Sequence, residues 1–138
     1  MLILTVLSAC AGPAFNFHAY EGKAVDTADS VLSSAHSMHM IVLGLKRGNS
    51  FDTFAESAIQ DAEDGASGTI SAFETIEPPG RDSIRLRSEL DGLLQTASGA
   101  ISDMRIAFRR GQMSEMLRLD LDLQKTADEL KAFSEDHS

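Results

Sequence analysis

The stretch AVDTADSVLSSAHSMHMIVLGLKRG, residues 24–48, decides the fold. Ala24, Ala28, Val31, Ala35, Met38, Val42 and Leu45 recur at alternating steps of four and three. That spacing keeps small or apolar side chains on one face of an α-helix and leaves the rest of its circumference polar. Gly48 supplies a residue suited to the left-handed position just past a helix end. Lys46 and Arg47 place positive charge where the helix dipole is negative. The stretch is therefore one amphipathic helix with a defined stop.

The same grammar recurs downstream. Phe51, Ala55, Ile59, Ala62, Ala66, Ile70 and Phe73 form a second face, with Ser50 as the expected cap, Asp52 in the first turn and Pro78-Pro79-Gly80 as the stop. Asp82 or Ser83 is expected to cap a third helix along Leu86, Leu90, Leu93, Ala97, Ala100, Met104 and Ala107, flanked by Leu94, Ile101 and Phe108. Arg109 and Arg110 precede Gly111, which repeats the first stop signal. Met116, Leu119, Leu123, Ala127, Leu130 and Phe133 make the fourth face.

The segments are roughly 23–28 residues long, or about 35–42 Å each. Short connections between long helices predict an all-α, antiparallel up-down-up-down four-helix bundle over residues 20–136. Composition agrees. The 138 residues suit one domain, aromatics are 6% and Trp is absent, a balance that favours helix over sheet. The formal net charge of −9 argues against nucleic-acid binding, which needs a basic face, and against electrostatic adhesion of the whole domain to anionic lipid.

Before the first helix, Met1-Leu2-Ile3-Leu4-Thr5-Val6-Leu7 is an uncharged apolar run, too short to span a bilayer. It ends in Leu7-Ser8-Ala9-Cys10, and Cys10 is the only cysteine. This quartet resembles the lipobox of bacterial lipoproteins. The resemblance implies cleavage before Cys10, diacylglycerol on its thiol, and an address on the extracytoplasmic face of a bacterial membrane. Residues 1–9 are then a signal peptide whose basic start is expected upstream, and residues 10–19 a lipidated linker. Two acyl chains suffice for stable anchoring. The helical part is similar in composition and architecture to small bacterial helical lipoproteins of uncharacterised function, which implies no activity.

Three features beyond the anchor carry chemical suggestions. His36, His39 and Met40 lie within one turn of the first helix, and imidazole with thioether suits copper. His18, in the leader, and His137, in the tail, are expected to be mobile and to add no ligand. The bland alternative leaves His36 and His39 half-exposed beside a core Met38. Lys46, Arg47, Arg105, Arg109 and Arg110 are expected to gather at one end of the bundle, with Arg118 entering from the fourth helix. They either complement helix dipoles or form a tip for an acidic partner, such as an envelope protein, or for a polyanion. Gly65 and Gly68, inside the second helix, indicate close packing against a bulky neighbour such as Phe108 or Met38, or a local opening that makes a ligand pocket. The pairs Asp26/Asp29 and Asp61/Asp64 read as solvated faces. Nucleophile elbows, phosphate loops, paired Glu-x-x-His motifs and haem-attachment motifs are absent from the sequence. The expectation is a binding or scaffold module rather than an enzyme, with no cofactor. A copper-binding bundle and a small-ligand sensor are the alternatives.

Overall fold

The computed structural model describes residue 14, residues 16–48 and residues 52–138, and the described residues are all-helical. The helices are α1 (Phe17–Lys46), α2 (Asp52–Glu74), α3 (Arg81–Arg109) and α4 (Met113–Asp136). They are 30, 23, 29 and 24 residues long. Cys10, Ser50 and Phe51 lie outside the described residues, as does the expected signal peptide.

α1 begins inside the stretch expected as a linker. Asn16 is its N-cap, and the side-chain Oδ1 accepts from the Ala19 N–H at 2.9 Å, satisfying one of the first-turn donors. The added turns bury Tyr20, whose ring lies 5.4 Å from that of Phe73. α1 and α3 end as the sequence predicts. Gly48 and Gly111 take positive φ, 71° and 68°. At Gly111 the loop closes a Schellman motif, with Gly111 N–H on Phe108 C=O at 2.9 Å and Gln112 N–H on Ala107 C=O at 2.9 Å. α3 starts differently. Gly80 occupies the N-cap position without a side-chain cap, Asp82 sits in the first turn paired to Arg85, and Ser83 is buried. Asp82 and Ser83, the expected caps, lie two and three residues past that position.

The core follows the four faces. Every described member of the α2 and α4 faces is buried, and so is the α1 face as far as Val42, with Leu45 packed at its edge. In α3 the roles shift by one residue in the middle. Leu94 and Ile101 are fully buried, whereas Leu93 and Ala100 flank them. Both rows are apolar, so composition could not choose between them. The inter-helix contacts could: α3 packs on α1, α2 and α4. α1 likewise meets all three others, while α2 and α4 make no contact with each other among the described residues. α1 and α3 thus form the central pair. No helix among the described residues is long and apolar enough to cross a membrane.

Candidate functional site

α1 meets α4 along a seam bridged by side-chain hydrogen bonds. His39 Nδ1 lies 2.8 Å from Asp120 Oδ2, and Asp120 is only 5% exposed. An ionised carboxylate can only accept, so the imidazole Nδ1–H is the donor. Gln124 adds a long contact to the other carboxylate oxygen at 3.5 Å. Near the far end of the same seam His137 Nδ1 lies 3.1 Å from Glu21 Oε1, and its ring centroid is 4.6 Å from that of Phe133, tilted by 43°. His137 is the C-cap of α4 and His18 stands in the first turn of α1 beside Glu21, so neither occupies the loose segment expected for it.

The seam between α1 and α2 is open. Ser33, Ser34, His36, Ser37, Met40 and Ile41 of α1 face Phe54, Ala58, Asp61 and Ala62 of α2 across a groove of about 660 Å³. Met40 is 65% and Phe54 67% exposed, so two large apolar side chains stand in solvent at one groove. The cause is local. Serine and alanine line the inner walls, and short side chains cannot fill the space between helix axes. Ser30 Oγ and Thr69 Oγ1 bridge the helices at 3.1 Å farther along.

The histidine cluster divides between these seams. His36 and Met40 line the groove, while His39 is committed to Asp120. Among the described residues no three His, Cys, Asp or Glu side chains are grouped to hold a metal ion. Gly65 and Gly68 are both exposed, and α2 runs through them as helix. A Cβ at Gly65 would meet only Ser34 Oγ at 3.5 Å, and one at Gly68 would meet nothing within 4 Å. Neither Phe108 nor Met38 forces these glycines. The groove lies toward the start of α2 from them.

The basic end is thinner than the sequence suggests. Leu45, Asp52, Glu56, Phe108, Arg109 and Met113 border one depression, which brings the end of α1, the start of α2, the end of α3 and the start of α4 together. Arg105 Nε lies 2.5 Å from Glu63 Oε2, a charge contact in which the N–H is not aligned with the oxygen. Ser102 donates to the other Glu63 oxygen at 2.8 Å, and Arg109 lies 3.4 Å from Glu56. Arg118 bonds Glu115 and Asp122 of its own helix, and its hydrogen bonds hold the exposed Glu115 carboxyl below its ordinary value. Lys46, Arg47 and Arg110 are exposed and make no ion pair among the described residues. Glu56 and Glu63, which neutralise part of the tip, come from α2 and are signalled only once α2 is placed against α3.

Comparison with family models, curated proteins and solved structures found no match to this chain.

Proposed function

We propose that this chain is a bacterial lipoprotein, anchored through a diacylated Cys10 on the extracytoplasmic face of the membrane, whose helices serve as a binding module. Leu7-Ser8-Ala9-Cys10 supports the anchor. The proposed topology is an antiparallel up-down-up-down bundle. Cross-helix pairs support it: α1 and α4 meet at Glu21–His137 and His39–Asp120, and α2 and α3 at Glu56–Arg109, Glu63–Arg105 and Glu74–Gln95. In each series one helix ascends in number as the other descends. Tethered at the start of α1, the bundle would carry Met40 about 35 Å outward along that helix.

The observation that carries the binding reading is the α1–α2 groove, with Met40 and Phe54 exposed on its walls. Apolar side chains gathered at a concave site mark recognition surfaces, whereas single exposed ones do not. Leu121, 66% exposed on α4, is absent from the groove lining and serves as the internal control. A solvatochromic aromatic probe should brighten on the protein, lose that signal in Met40→Ser/Phe54→Ser, and keep it in Leu121→Ser. Equal signals from all three would end the groove's claim. The anchor is tested separately by intact mass and detergent partitioning. Cys10→Ser should leave the detergent phase, and a wild type that stays aqueous at uncleaved mass would remove the lipoprotein reading.

A further inference from the structure

We infer that the α1–α2 groove receives a cationic amphipathic helix of a partner protein; this rests on the binding reading and adds the occupant's chemistry. The floor and walls favour a helix. Along α1, Ser30, Ser33, Ser34 and Ser37 are short, and along α2 so are Ala58, Ala62 and Gly65. Short side chains let a third helix approach the pair closely, and the apolar stripe of such a helix would cover Met40, Ile41 and Phe54. The flexible Met40 thioether adapts to side chains of different shape.

Charge decides which helix. Asp61 lines the groove beside Phe54, and Asp26 lines the adjoining depression where the same seam continues past Ser30 and Thr69. Asp29 and Asp64 are exposed about one turn from them. Asp26 of α1 and Asp61 of α2 therefore line the seam, with Asp29 and Asp64 exposed nearby on the same helices, and Lys23 is the one lysine or arginine in the two linings, with His36 on the α1 wall. The whole chain adds a net charge of −9. An apolar stripe flanked by Lys or Arg is complementary to both parts, and an acidic helix would meet repulsion along both edges.

The test uses the full chain with Cys10→Ser, so that the anchor has no bearing on it. The probes are three labelled peptides of about five helical turns. One carries Leu and Lys at amphipathic spacing, one has the same composition permuted to destroy the apolar stripe, and one carries Leu and Glu at amphipathic spacing. Fluorescence anisotropy should rank the Leu/Lys helix at least about tenfold tighter than either other peptide. Met40→Ser/Phe54→Ser should lose about tenfold or more, Asp26→Asn/Asp61→Asn several-fold, and Leu121→Ser nothing. Equal binding of the permuted peptide means that charge alone acts, which overturns the proposal. If the Leu/Glu helix binds as well as Leu/Lys and both depend on Met40 and Phe54, the groove binds helices but the cationic occupant is wrong. If no peptide responds to Met40→Ser/Phe54→Ser, the binding reading itself fails. A concentration-dependent dimer in sedimentation, abolished by that double variant, would assign the groove to a second copy of this chain and overturn the partner.

Discussion

α1 meets α2 and α4 along seams of opposite character. On the α4 side, the buried Asp120 takes His39 of α1, and His39–Asp120 and Glu21–His137 tie the helices at separated points. On the α2 side, the core row closes beneath a groove that is open at its surface, with Met40 and Phe54 in solvent. The size of the side chains at the seam's edge makes the difference. Ser33, Ser34, Ser37, Ala58 and Ala62 on the groove walls are too short to fill the space between α1 and α2, whereas His39 and Asp120 reach each other across the α4 side. One helix thus spends one flank on stability and keeps another free.

The largest expected effect lies in the core face of α4. Leu123 is fully buried, and Leu123→Ala should cost about 2–5 kcal/mol, from lost transfer energy and the cavity left behind. Urea unfolding measures it. A cost near zero would mean that the core face of α4 is packed no better than the groove. His39→Ala comes next. It leaves the buried Asp120 carboxylate with the weaker Gln124 contact and should cost about 1–3 kcal/mol. His39→Gln, whose amide can donate, should recover part of that. Equal losses in both variants would show that ring packing, rather than the hydrogen bond, holds the helices.

A smaller effect of opposite sign is expected in α2. Gly65 and Gly68 are helical, exposed and uncrowded. Gly65→Ala and Gly68→Ala should each raise stability by about 0.5–1 kcal/mol, because alanine loses less backbone entropy on entering a helix. Thermal unfolding followed by circular dichroism tests it. Destabilisation at Gly65 would reveal a closer approach of Ser34 than 3.5 Å suggests.

The faces of α2 and α4 were legible because the rows beside them run into polar residues or glycine, Asp61 and Gly65 after Phe54 and Ala58, and Asp120 and Gln124 after Leu117, so one row alone stays apolar throughout. α3 was ambiguous where Leu93 and Leu94, then Ala100 and Ile101, are adjacent, since neighbours on a helix differ by only part of a turn. The start of α1 was missed for a different reason. The unbroken small-residue row starts at Ala24, although Asn16 is a good capping residue and Tyr20 continues the period. Asp120 was invisible to an apolar pattern, and its partner His39 stands 81 positions away. Met40 and Phe54 lie off the apolar rows. An off-row apolar residue reads as a lone exposed side chain until the neighbouring helix brings a second one beside it.

The smallest expected change is also the sharpest test of the contrast. Met40 and Phe54 are about two-thirds exposed, at 65% and 67%, so truncating them removes little buried area. Met40→Ser and Phe54→Ser should each change stability by no more than about 0.5 kcal/mol, as is usual for surface positions outside special features. Serine already lines this wall at positions 33, 34 and 37, so the new hydroxyls enter a polar setting. The two effects should also add, since neither side chain is fixed by burial that the other depends on. A loss of about 2 kcal/mol or more at either site would place that side chain in the folded core's energetics, by the scale of buried truncations. The groove would then be a structural seam with loose edges, and the free flank of α1 would disappear. Stability that stays flat while probe and peptide binding collapse is the outcome a recognition surface requires, because the two side chains then act on a ligand and not on the fold.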